Sequence, residues 1–216
     1  SIKTFKMKRL LVFVFAMALF VGCGPETQKD FIQDESPNEE IKVQIRKQKN
    51  NFIYNVNFKG KRIILNSKIG LMFKNGFEFP SYHNIKEVEK EFHKDTWELP
   101  WGEKKIVKDT YNEIIISFIN TNNLEAGKML FRAYDDGIAF RYQMNDNNKN
   151  QDSLIIINEI TEFNLSEDAQ TWWTPAYKEN RYEYLYQKSK VSALDTCHTP
   201  LTLKYSDGTH LSIHEA

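Results

Sequence analysis

Carboxylates set among aromatic rings occur twice in this 216-residue chain, and no other residues in it are better suited to chemistry. In "TWWTPAYKENRYEYLY", Glu179 and Glu183 sit among Trp172, Trp173, Tyr177, Tyr182, Tyr184 and Tyr186. In "TWELPWGEKK", Glu98 and Glu103 accompany Trp97 and Trp101. Groups of this kind do two sorts of work. Rings stack on the apolar faces of sugars while carboxylates accept from their hydroxyls, and hard cations such as Ca²⁺ take carboxylate oxygens. One glutamate cannot hold calcium alone, so a cation here needs ligands from elsewhere. The plainer alternatives are a tryptophan plug in the core at Trp97 and Trp101, and a solvated surface loop around Glu183.

Other candidates are weaker. Arg132 and Arg141 stand between aromatic residues on neighbouring strands, where an arginine either bridges sheets or meets a ligand. His210 and His214 share one face of a strand and are either metal ligands or surface residues. Glu215 falls on the opposite face with Leu211 and Ile213, so a carboxylate is expected where an apolar side chain would be ordinary. Cys197 reads as a small buried hydrophobe. There is no nucleophile elbow, P-loop or dinucleotide loop. Zinc spacing and a disulfide framework are absent too.

The elements that must position these residues are strands. "NFIYNVNFKG" places Phe52, Tyr54, Val56 and Phe58 on one face. "GKMLFRAYDDGIAFRYQM" is two alternating runs joined at Asp135-Asp136-Gly137, and "PLTLKYSDGTHLSIHEA" repeats the pattern around Asp207-Gly208, both hairpin signals. "NIKEVEKEFHK" fits either a short helix or an edge strand. Many short strands at close spacing predict an all-β fold, a large antiparallel β-sandwich.

The first residues are expected to be removed. Lys3, Lys6, Lys8 and Arg9 precede the apolar "LLVFVFAMALFVG", a run too short to span a bilayer, and Cys23 follows. Residues 1–23 therefore read as a lipoprotein-type signal with lipidation at Cys23, and Met7 is the expected start. Residues 24–40 read as a flexible polar tether, and 41–216 as the folded domain. The expected location is the cell envelope of a Gram-negative-type bacterium, periplasm or outer membrane, with the membrane reached through the lipid. The whole chain has 29 basic and 29 acidic side chains. Four basic and no acidic groups lie in residues 1–22, which leaves 25 against 29, net −4. No basic stripe remains for nucleic acid. "THLSIHEA" stops in mid-strand, so the protein is expected to continue beyond Ala216.

Five stretches in order, "SPNEEIKVQI", "KIGLMF", "WGEKKIVKDTYNEI", "FRAYDDGIAFRY" and "TPLTLKYSDGTHLSIHEA", resemble the N-terminal domain of glycoside hydrolase family 97, the bacterial α-glucosidases and α-galactosidases. The resemblance implies a super-sandwich that caps the mouth of a (β/α)₈ barrel absent from this chain. It implies that both catalytic carboxyls belong to that barrel, so that no catalytic residue lies here and the chain alone is inactive. It also implies a Ca²⁺ cofactor shared with the barrel, with Glu183 as the ligand from this domain. Trp101, Glu103, Arg141 and Glu215 are the candidates for contact with an oligosaccharide or α-glycoside. Two other kinds of protein fit the residues: a stand-alone, lipid-anchored carbohydrate-binding module, and a structural or adhesive sandwich whose aromatic loop packs into its own core.

Overall fold

The computed structural model describes residues 31–145, 153–179 and 183–215. Strands β1 (Ile32–Glu35), β2 (Ile41–Gln48), β3 (Asn51–Phe58) and β4 (Lys61–Ile69) form one antiparallel sheet in chain order. Strands β5 (Leu71–Phe73) and β6 (Glu78–Phe79) begin a second. The third holds β7 (Asn84–Glu98), β8 (Ile106–Ile119), β9 (Glu125–Tyr134) and β10 (Gly137–Met144), again neighbour to neighbour. Strand β11 (Ile156–Glu159) returns to pair with β5. The fourth sheet contains β12 (Gln170–Trp173), β13 (Gln187–Lys190), β14 (Leu201–Lys204) and β15 (His210–Ile213), in the order β13-β12-β14-β15. Among the described residues the only helical turn is a 3₁₀ turn at Val191–Ala193. The fold is the expected all-β sandwich.

Period-two sequence explains the layers. In β2, Ile41, Val43 and Ile45 are buried while Lys42, Gln44 and Arg46 are not. Phe52, Tyr54 and Val56 of β3 point the same way and meet Ile114, Ile116, Phe118, Met129 and Phe131 of β8 and β9 in one core. Across that core Phe52 meets Phe118 edge-on at 5.1 Å, and Tyr54 lies 5.9 Å from Phe140. Each such side chain contributes about 1.5–3 kcal/mol by leaving water. Buried hydroxyls find acceptors, as they must in so dry a place. Tyr54 donates to the Glu162 carbonyl at 2.8 Å, and Tyr205 to the Ile63 carbonyl at 2.9 Å. Burial pushes the Tyr54 and Tyr142 phenols well above their usual range, so both remain neutral.

Residues 84–94 are an edge strand, not a helix. Among the described residues the 15-residue β7 pairs only with β8, and most of it is exposed. Its alternating Lys and Glu side chains guard an edge that would otherwise invite further strands. The tether expectation is corrected in part. Residues 24–30 lie outside the described residues, as does the signal segment, but 31–40 are structured. Strand β1 pairs along β2 from Ile32↔Ile45 to Glu35↔Lys42. Ser36, nearly fully buried, accepts from the Ile41 amide at 3.0 Å and donates to Asn38 Oδ1 at 2.6 Å. Polar composition misled here because a ladder is made by backbone groups, and Ser36, Pro37 and Asn38 are turn residues rather than linker residues.

Candidate aromatic–carboxylate site

The segment joining β12 and β13 is held at its root and open beyond it. At the root, Trp173 is buried and its indole N–H donates to Ser189 Oγ at 3.0 Å. Thr171, also buried, reaches the Ser189 carbonyl at 3.0 Å. A second stretch brackets the segment: the Ala176 amide donates to the Thr196 carbonyl and the His198 amide to the Thr174 carbonyl, both at 3.0 Å. Past these ties the chain turns outward at Tyr177, whose φ is +56° and whose side chain is 94% exposed. Glu179 and Glu183 are exposed, as are Tyr184, Leu185 at 90% and Tyr186 at 65%. Residues 180–182 lie outside the described residues, Tyr182 among them. Among the described residues, none hydrogen-bonds to or pairs with Glu183. A carboxylate beside large exposed side chains is not part of the sandwich core. It does not support a structural sandwich with this loop packed inside.

Trp97 and Trp101 are not core plugs. Trp97 lies on β7 and is 43% exposed, and Trp101, in the turn from β7 to β8, is 85% exposed. That turn is closed by the Leu99 amide on the Lys105 carbonyl at 2.9 Å, and Glu103 within it is exposed. Arg141 is exposed on the outer face of β10, so it does not bridge sheets. Glu215 is corrected. Strand β15 ends at Ile213, the alternation stops with it, and Glu215 is exposed rather than inward. His210 and His214 are exposed as well, and Cys197 is half-buried, with burial raising its thiol. Among the described residues, no hydrogen bond, ion pair or ring contact joins any two of Trp101, Glu103, Arg141, Glu183 and Glu215.

Sequence reading missed one cluster. On the outer face of the third sheet, Glu91 of β7 lies opposite Glu113 of β8, which lies opposite Arg132 of β9. Glu113 is 4% exposed, and Arg132 Nε donates to its Oε1 at 2.6 Å. His93 stacks on Tyr111 at 4.8 Å and 21°, and the Arg132 guanidinium lies over the same ring at 4.4 Å. The signal was present: Glu89, Glu91 and His93 alternate with Lys90 and Phe92. It needed the strand assignment and the partner register before it meant anything.

The glycosyl-hydrolase 97 N-terminal family model matches residues 35–216. Among solved structures, a variant enzyme of glycoside hydrolase family 97 from Pseudoalteromonas sp. strain K8, in complex with panose, superposes with a TM-score of 0.79 at 34% identity. The match covers 86% of this chain and 28% of that one. The enzyme from the same strain in complex with acarbose gives the same TM-score, identity and coverage. A β-arabinopyranosidase at 17% identity, with a TM-score of 0.71 over 80% of this chain and 29% of that one, shares the fold. The chain thus spans under a third of the length of each of these proteins. With 182 consecutive positions matched by one family model, the chain belongs to the glycosyl-hydrolase 97 N-terminal family.

Proposed function

We propose that this chain is the part of a calcium-dependent α-glycosidase, an α-glucosidase or an α-galactosidase, that caps a catalytic barrel carried elsewhere in the same protein. Family membership supports this, as does the small share of each relative that the chain spans. The panose and acarbose complexes of the Pseudoalteromonas enzymes support an oligosaccharide as the ligand class. The observation that carries the reading is the exposed loop around Glu183, a hard oxygen donor followed by large side chains, Tyr184, Leu185 and Tyr186, that are exposed as well.

Glu183 fits one position in a calcium site and no more. Among the described residues, the only group of three or more potential metal-ligand side chains is Glu91, His93 and Glu113, which lies on a different sheet. On this reading the other oxygens come from the barrel. When bound, the ion would supply positive charge beside the sugar. Tyr184, Leu185 and Tyr186 would pack the loop against the barrel, and Trp101 and Glu103 would line the mouth of the site. Arg141 and Glu215, both open to solvent, remain sugar contacts of the same kind. The basic start, the apolar run and Cys23 support a lipid anchor in the cell envelope.

The test uses the full-length protein that contains this chain. Calcium ions sit about 2.3–2.6 Å from each oxygen, and affinity rises with the number of charged ligands. Glu183→Gln keeps the shape and loses one charge, and Glu183→Ala loses the ligand. Both should weaken calcium binding by roughly tenfold or more and lower activity, with Ala worse and excess calcium partly rescuing Gln. Glu179→Ala should be close to wild type, and the 216-residue chain alone should leave aryl α-glycosides uncleaved. Loss of activity in Glu179→Ala but not in Glu183→Ala would move the ligand to Glu179. No effect from either would leave the loop a packing surface only.

A further inference from the structure

We propose that Glu91, His93 and Glu113 form a binding site for a divalent ion of the zinc type, on the outer face of the β7–β8–β9 sheet and separate from any calcium site at Glu183. The sheet itself builds it. Antiparallel register sets Glu91 directly across from Glu113, and His93 across from Tyr111, one pair further along. Side chains two residues apart share a face, so the two carboxylates and the imidazole converge, with one donor atom from each within 4.8 Å of the others.

A second observation points at a ligand. His93 Nε2 is shut off from solvent and has no hydrogen-bond partner. Yet Glu91 Oε2 lies 3.0 Å away and Glu113 Oε2 3.7 Å away. The buried nitrogen of this partly exposed imidazole thus faces two carboxylate oxygens at once, at separations that two ligands of one ion can have. With Zn–N near 2.0–2.1 Å and Zn–O near 2.0–2.2 Å, two ligands of one ion stand roughly 3–3.7 Å apart.

The surroundings prepare the three groups. Arg132 holds Glu113 Oε1 and leaves Oε2 turned toward His93. Such an outer hydrogen bond fixes a ligating carboxylate. The arginine also balances one of the two negative charges, so a dication meets a net charge of −1. Stacking on Tyr111 fixes the plane of the imidazole. One nitrogen and two carboxylate oxygens suit zinc, nickel or copper, whereas calcium and magnesium favour oxygen alone. Three protein ligands leave a fourth position for water. The consequence is mechanical: β7, a mostly exposed edge strand that pairs with β8 alone, gains a clamp to β8 and, through Arg132, to β9. The hairpin that carries Trp101 is thereby stiffened.

The test titrates the whole chain, stripped with a chelator, with Zn²⁺ by calorimetry and with Co²⁺ by visible absorbance. One equivalent should bind with micromolar or tighter affinity, Co²⁺ should develop a tetrahedral-type visible band, and the melting temperature should rise with Zn²⁺. His93→Gln and Glu91→Gln, both at partly exposed positions, should each weaken binding at least tenfold with an unchanged far-UV spectrum. Glu183→Gln should bind zinc as wild type does, and millimolar Ca²⁺ should not displace it. Absence of binding, equal binding by His93→Gln, or binding lost in His210→Gln and retained in His93→Gln would each overturn the site. An ordinary His–Glu ion pair would show as the first of these.

Discussion

Gly127 is the position where one added methyl group should do most harm. It lies in β9, paired with Met144 of β10 and Phe118 of β8, with φ at +156°. A Cβ there would stand 2.6 Å from the Gln143 carbonyl oxygen and 3.2 Å from two ring carbons of Phe79. Neither obstacle gives way easily. The carbonyl is backbone beside the β9–β10 ladder, and Phe79 is fully buried against Phe118, 5.3 Å between ring centres. Backbone strain of about 1–2 kcal/mol for an L-residue at positive φ adds to about 1–3 kcal/mol for overpacking a finished core. Gly127→Ala should therefore cost roughly 2–5 kcal/mol. For a domain of this size that lowers the melting temperature by roughly 5–15 °C. Gly208→Ala separates the two terms, because its φ is +88° but a Cβ would meet nothing within 4 Å. Strain alone should cost about 1–2 kcal/mol there. Urea denaturation followed by tryptophan fluorescence gives both values, with the slope showing whether the unfolded state changed. If Gly127→Ala proved no worse than Gly208→Ala, the close approach of β10 and Phe79 to Gly127 would be wrong.

Asp207 accepts from Lys61 Nζ at 2.7 Å and from the Thr209 amide at 2.9 Å, and chiefly the Lys61 bond holds its carboxyl well below the usual range. A lowered folded value stabilises above the unfolded value of about 3.9 and is lost as pH falls toward the folded one. The melting-temperature gap between wild type and Asp207→Asn should thus be constant above about pH 5 and close below about pH 4; a gap that widens on acidification refutes the pairing. For the anchor, radiolabelled palmitate should enter the wild-type protein in the producing cell and not Cys23→Ala, and equal labelling would refute it.

The sandwich was legible because its strands alternate. Ile41, Val43 and Ile45, or Phe52, Tyr54 and Val56, announce an inner face without any knowledge of what they pack on. The hairpins at Asp135-Asp136-Gly137 and Asp207-Gly208 were legible because turn chemistry is local. Where the logic failed, local pattern was asked for something it does not hold. Strand β1 was hidden by polar side chains, since pairing with β2 uses its backbone. Glu215 was placed inward by extending an alternation past the point where the strand ends.

Function was harder to see, for a reason of distance along the chain. Glu91, Glu113 and Arg132 are separated by 22 and 19 residues, and only the register of β7 on β8 and β8 on β9 turns them into neighbours. No window of sequence contains that. The loop at Glu183 is the opposite case, with its parts all within fourteen residues and visible at once. What it lacks is an internal reason. The exposed Tyr177, Tyr184, Tyr186, Glu179 and Glu183 explain nothing within the sandwich, whose core is already filled by Trp173, Leu203 and Tyr205. A group of side chains without a use in its own fold is explained by a surface that the fold does not contain. The apolar area of Leu185 and Tyr186 would remain a cost in solubility on a free-standing module. On the function proposed above, they and Glu183 would become contact area and a ligand once a barrel covers them. The exposure of Tyr177, Glu183, Leu185 and Tyr186 is therefore the physical argument behind the proposal that a second domain covers this loop.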